Sequence, residues 1–207
     1  MQCAHCKQSK CYTEGQNCTI ISEQQLISLY DGDDRRIMEA AGGVEARNYM
    51  KMCRLEESAE FAKHFGAKNV GLAFCIGLAE EAKLISAYFE KSFTVHSVCC
   101  KVCGSGKDKL GLEQIKPGTA EAMCNPKAQA AILADCGTEL NFTIGLCVGH
   151  DMLFNAASTV PVSCLVVKDR LLSHNPLGAV YSRYWRRKLE INPDGLKGKT
   201  QVLKVDV

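Results

Sequence analysis

From Asn69 onward the sequence alternates short apolar runs with stretches of helical length, and that alternation leaves few architectures open. Residues 69–77, with Val70, Leu72, Phe74 and Ile76 among small residues, read as a buried strand ending in a turn. Residues 80–90 read as a helix and 93–99 as a second strand. A further helix carries Pro126 in its first turn and runs to Asp135. Residues 140–149 give a third strand and turn, 151–157 a short helix, and 161–167 a fourth strand. Strands alternating with helices predict an α/β fold: a mainly parallel, Rossmann-like sheet with helices on both faces. The segments 71–77 and 143–149 echo one another and suggest an internal repeat. They align Cys75 with Cys147, each at the carboxyl end of a strand, where open α/β sheets bind ligands.

The chain before this region has a different texture. Residues 1–21 hold four cysteines and almost no apolar periodicity, so they cannot build a core and need something else to hold them. Residues 22–30 read as a helix, Gly42-Gly43 as punctuation, and 44–64 as a longer helix closed by Gly66. Three parts are expected: a four-cysteine metal-binding segment at 1–21, a helical segment at 22–66 packed on the main domain, and the α/β domain at 67–207.

Cysteine is the informative residue type. There are 13, an odd number, and the amino-terminal residues are polar and unlike a secretory signal. Reduced thiols in a cytoplasmic protein are therefore expected, used for metal ligation, thiol chemistry or burial. The sequons at Asn17 and Asn141 are then chance matches. A formal net charge of +2 gives no case for a nucleic-acid or membrane-surface binder, and no apolar run reaches bilayer length.

Cys3, Cys6, Cys11 and Cys18 follow C-x2-C-x4-C-x6-C. Such a pair with two later cysteines in loop-closing reach suits tetrahedral zinc or the corners of a [4Fe–4S] cluster, with a slight lean to iron–sulfur. His5 lies between two of these candidates and reads as solvated. A second set, Cys75, Cys99, Cys100, Cys103, Cys124 and Cys147 with His150, collects at predicted strand ends and turns. Cys100 and Cys103 could cycle between dithiol and disulfide, or join Cys75, Cys124 and Cys147 as ligands. Successive strand residues face opposite ways, so Cys99 and Cys100 cannot both face one site if the strand continues through them. Burial as small hydrophobes competes with every functional role in this second set, and Cys53, Cys136 and Cys164 are expected in the core.

Other motifs carry less. Gly104-Ser105-Gly106-Lys107 is followed by Asp108 where a P-loop needs Ser or Thr. Residues 183–188 mix bases with Tyr184 and Trp185 and read as a solvated helix face with an aromatic turned inward. No diagnostic catalytic motif occurs.

The four-cysteine pattern, GLAFCIGLAEEAK, VCCKVCG, CNP and GLCVGHD with the later VVKDR and HNPLGA together resemble the DUF1847 family. The resemblance implies metal binding of the kind described for archaea and anaerobic bacteria, and a cytoplasmic home; it implies no reaction. The family's motif cysteines correspond to the ten cysteines of the two sets, with His150 beside Cys147. The expectation is a metal-binding protein with a redox or electron-transfer role and a redox partner protein, of open oligomeric state. Two alternatives stand beside it: a non-enzymatic binding module stapled by zinc, and a cysteine-dependent enzyme using Cys147 or Cys75 with His150 as base.

Overall fold

The computed structural model describes residues 2–191, so the last part of the expected α/β domain lies outside the described residues. The chain divides after Tyr49 into two units. In the first, a 3₁₀ turn at Cys3–His5 precedes the short helices α1 (Lys10–Thr13) and α2 (Glu23–Ser28), then α3 (Gly32–Asn48). A capping box starts α2: Ser22 Oγ accepts from the Gln25 N–H at 3.2 Å, and the Gln25 side chain accepts from the Ser22 N–H at 2.9 Å. Asp33 and Asp34 in the first turn of α3 complement its dipole.

Two expectations are corrected here. Gly42 and Gly43 lie inside α3 instead of punctuating the chain, and the continuous helix expected at 44–64 is broken. Met50 takes a left-handed φ of 60°, and Cys53 then caps a new helix, α4 (Arg54–Phe65). The Glu56 side chain returns to the Cys53 N–H at 2.9 Å, so the local chemistry of a helix start overrides the helical rhythm.

In the second unit α4 leads through Gly66, at φ 86°, into β1 (Asn69–Phe74). There follow α5 (Ala79–Phe89), β2 (Thr94–Cys99), α6 (Pro126–Asp135), β3 (Leu140–Ile144), α7 (His150–Ala157) and β4 (Val162–Val166). Two short helices, α8 (Leu177–Tyr181) and α9 (Arg183–Lys188), complete the described chain. The four strands form one parallel sheet in the order β2-β1-β3-β4. Central β1 and β3 are almost wholly buried, Asn141 and Thr143 of β3 included, whereas the edge strands are partly open.

Right-handed crossovers set the layers. The chain steps from β1 to β2 in one direction, then returns past β1 to β3, which puts α5 on one face and α6 with α7 on the other. On the first face Phe89 of α5 packs against Phe142 of β3 with ring centroids 5.2 Å apart, and against Phe93. On the second, Ala73, Val98, Ala130, Leu133, Leu146 and Phe154 form a continuous core that includes Cys75 and Cys100. Burying one such phenylalanine contributes on the order of 1.5–3 kcal/mol.

Cys53, Cys136 and Cys164, expected in the core, are exposed. Cys53 and Cys136 sit at helix caps, and Cys164 faces outward from the edge strand β4. Residues 183–188 form α9, with Tyr184 exposed and Trp185 half-buried. Among the described residues no helix is long and apolar enough to cross a membrane.

Candidate thiol centre at the carboxyl edge of the sheet

Reversal of strand order around β1 creates a switch point between β1 and β3, where the connecting helices leave on opposite faces of the sheet. The register pairs Phe74 with Cys99, so Cys75 and Cys100 form the next rung beyond the two strands. The Cys100 N–H bonds the Phe74 carbonyl at 2.8 Å, and the Cys75 N–H bonds the Ile144 carbonyl at 3.0 Å. Strand alternation turns both side chains toward α6 and α7. The Asn125 N–H bonds the Cys100 carbonyl at 2.8 Å and Asn125 Nδ2 bonds the Val102 carbonyl at 2.6 Å. These two bonds hold the entry to α6 against the end of β2. Cys124 Sγ consequently lies 3.8 Å from Cys100 Sγ.

The electrostatics are asymmetric. Cys75 and Cys100 lie on one rung at the ends of β1 and β2, pack in the same cluster, and are both buried. The hydrogen bond from Cys100 holds the Cys75 thiol below its ordinary range, helped by the Gly77 N–H and the Lys168 ammonium against the opposing effect of burial. Cys100 is pushed the other way by its bond to Cys75, then by burial and by the charges of Cys124 and Cys75. Lys168 Nζ lies 3.4 Å from Cys75 Sγ, and the Ile76 N–H points at Cys100 Sγ at 3.3 Å.

Two glycines admit that lysine. A Cβ at Gly77 would stand 3.3 Å from Lys168 Nζ, and one at Gly145, where φ is +61°, would run into Leu78 and touch the Lys168 stem. The stem passes over the β3 turn and delivers its charge above the β1 turn. Arg170, two residues further on, places Nη2 2.9 Å from Cys147 Sγ.

The structure therefore brings Cys75, Cys100 and Cys124 together and engages Cys147 with Arg170. Cys99 Sγ accepts the Lys101 N–H at 3.4 Å, which settles the Cys99/Cys100 alternative: Cys100 is the residue that meets Cys75 and Cys124. Cys103 is exposed at φ 72° in a turn closed by the Gly104 N–H on the Lys101 carbonyl. His150 starts α7 with its N–H on the Cys147 carbonyl at 2.9 Å. Asp151 Oδ1 accepts from the Gly149 and Met152 N–H groups, so that oxygen is committed to the turn.

Cys3, Cys6, Cys11 and Cys18 are all exposed. The Cys6 sulfur accepts the Ser9 N–H at 3.5 Å, and the N–H groups of Ser9 and Gln8 lower its thiol from the ordinary range. Among the described residues no three or more His, Cys, Asp or Glu side chains are gathered so as to hold a metal ion. At the sheet edge Cys75, Cys100 and Cys124 pack in one cluster, with Cys124 Sγ against Cys100 Sγ. Soft sulfur donors of this kind fit zinc or iron–sulfur chemistry better than magnesium or calcium. Sequence reasoning gave no role to Lys168 and Arg170, although both lie in the VVKDR motif at the end of the fourth strand.

The family model described as "Protein of unknown function (DUF1847)" matches residues 11–165, which include Cys75, Cys100, Cys124 and Cys147. The uncharacterized protein MJ0455 of Methanocaldococcus jannaschii is 47% identical over 190 residues, covering 91% of this chain and 98% of that protein. No solved structure matches the chain. With one match spanning most of the chain and the other nearly all of it, the chain belongs to the DUF1847 family.

Proposed function

We propose that this is a cytoplasmic metal-binding protein serving redox or electron-transfer work with a partner protein. In this reading Cys3, Cys6, Cys11 and Cys18 hold a [4Fe–4S] cluster or zinc, and cysteines at the sheet edge form a second centre. The observation that carries it is the packing of Cys75, Cys100 and Cys124 together at the carboxyl ends of β1 and β2 and the entry to α6. Apolar burial alone gives no reason for a lysine to be threaded over two glycines to reach one of those sulfurs. At the amino terminus the support is the spacing, together with N–H groups already aimed at the Cys6 sulfur.

A bound iron–sulfur cluster supplies one-electron chemistry, and zinc supplies a structural or Lewis-acid centre. The protein's own contribution at the sheet edge is to hold sulfurs on rigid strand ends, shield them from water and set a cation beside them. For the cysteine-enzyme alternative, no hydrogen bond between a carboxylate and His150 is seen among the described residues, and Asp151 Oδ1 is taken up by the Gly149 and Met152 N–H groups.

Metal, sulfide and visible absorption, measured on protein purified without oxygen, test the reading. Iron and sulfide with a broad visible band are expected, lost from the amino-terminal site in a Cys3→Ser/Cys6→Ser variant. A colourless protein with zinc alone removes the electron-transfer role, and a protein free of all metal removes the reading altogether.

A further inference from the structure

We propose that Cys100 and Cys124 are a reversible dithiol–disulfide pair, a two-electron centre that exchanges with a low-molecular-weight disulfide. This rests on the redox reading above and gives its second centre a chemistry. Spacing alone pairs Cys100 with Cys103, but the fold chooses otherwise. Cys103 is exposed in a turn at φ 72°, whereas Cys124 Sγ lies 3.8 Å from Cys100 Sγ. A disulfide bond is about 2.05 Å long, so rotation of the two side chains has little distance to close. The backbone on either side is already tied. The Asn125 N–H bonds the Cys100 carbonyl at 2.8 Å, and the Met123 N–H bonds the Ser105 carbonyl at 2.8 Å. Lys101 Nζ bonds the Ala122 carbonyl at 2.6 Å, and Gly106 forms an antiparallel bridge with Ala122. The stretch leaving Cys100 therefore runs beside the stretch arriving at Cys124, and these bonds keep the two thiols together.

The two sulfurs differ in access. Cys124 is half-buried and Cys100 is buried, so an external reagent meets Cys124 first. The recessed position favours a small disulfide over one fixed on a folded protein surface. The Cys124 thiolate attacks one sulfur of R–S–S–R′, forming a mixed disulfide with R and releasing R′S⁻. Cys100 Sγ then attacks Cys124 Sγ, which forms the internal disulfide, breaks the mixed one and releases RS⁻. The two cysteine protons end on RSH and R′SH. The cysteines lose two electrons and the external disulfide gains them. As the buried Cys100 sulfur gives up its proton, the Ile76 N–H, 3.3 Å away, supports the negative charge.

The test uses the full chain, reduced and freed of metal by chelator without oxygen. It is equilibrated in glutathione buffers of increasing disulfide fraction, quenched with acid, alkylated, digested and read by mass spectrometry. A Cys100–Cys124 linkage should form in a single transition and reopen when the buffer is made reducing again. Cys100→Ser should trap glutathione on Cys124, Cys124→Ser should slow reaction at Cys100 by at least roughly tenfold, and Cys103→Ser should leave the linkage intact. Circular dichroism identifies variants that fail to fold, and the half-buried Cys124 serves where Cys100→Ser does not fold. No Cys100–Cys124 linkage at any buffer ratio, a linkage from Cys100 to Cys75 or Cys103 in its place, or glutathione held on Cys100 instead of Cys124 would each overturn the proposal. If the chain carries iron and sulfide yet forms no such linkage, the pair fails and the broader redox reading stands. A linkage that forms and reopens in a chain that takes up no metal supports the pair and removes the metal-binding reading.

Discussion

Gln129 Nε2 donates to the Val98 carbonyl oxygen at 2.7 Å, joining the second turn of α6 to the end of β2 from a fully buried position. The same nitrogen reaches the Phe74 carbonyl at 3.3 Å, so one side chain spans the two strands that present Cys100 and Cys75. Its Oε1 is buried without a hydrogen-bond partner among the described residues, a cost that the bridge must offset. Gln129→Leu keeps the volume and removes the bridge. It should destabilise the fold by about 1–2 kcal/mol in urea unfolding and slow closure of the Cys100–Cys124 disulfide. Unchanged closure in a folded variant would show that β2 and α6 hold the thiols without it.

Lys168→Met keeps most of the stem over Gly145 and deletes the charge beside Cys75. The Cys75 thiol, which that charge helps to hold below its ordinary range, should then ionise at higher pH. Lys168→Arg, which retains the charge, should recover part of the effect. Thiolate absorbance followed against pH, less that of a Cys75→Ser protein, measures both; equal titration in Met and wild-type proteins would remove Lys168 from the site.

Gly145→Ala meets two obstacles at once. Its φ of +61° disfavours a side chain, and the new Cβ would collide with buried Leu78 beside the Lys168 stem. The substitution should cost about 1–3 kcal/mol and displace the lysine. Thermal melting reads the first effect and the Cys75 titration the second. A variant with wild-type melting and titration would show that the β3 turn yields freely.

Glu139 Oε2 accepts the Lys68 and Asn69 N–H groups at 2.6 and 2.9 Å, tying the start of β1 to the residue before β3. The Asn69 N–H, then that of Lys68, holds the carboxyl below its usual range. A depressed folded value means that the contribution is complete above the unfolded value, about 4.3, and is lost as pH falls through the folded one. Glu139→Gln should therefore cost about 1 kcal/mol at pH 7, discounted because the group is exposed. The gap from wild type should narrow toward pH 3 in chemical unfolding. A gap independent of pH would mean that the carboxylate charge contributes nothing.

Much of the main unit is legible in the amino-acid pattern. The four strands lie where their apolar runs begin, within a residue or so, and Pro126 opens α6 as its fixed φ allows. The break between α3 and α4 is hidden because a cysteine rarely announces a helix cap, and the Glu56 return that makes it one is seen only in the folded turn. The outward placement of Cys53, Cys136 and Cys164 is hidden for a related reason: cysteine is a common core residue, and its identity does not say which face of an edge strand it occupies.

Local patterning determined the element types, the parallel sheet and the candidacy of the cysteines, because periodicity and cysteine spacing are properties of neighbouring residues. The strand order β2-β1-β3-β4, and with it the switch point, was decided only when residues far apart in the chain paired. That pairing singled out Cys100 over Cys99, brought Cys124 to it across 24 residues and carried Lys168 to Cys75 across 93. No local pattern encodes such distances; they follow from the register and crossover handedness of the assembled sheet.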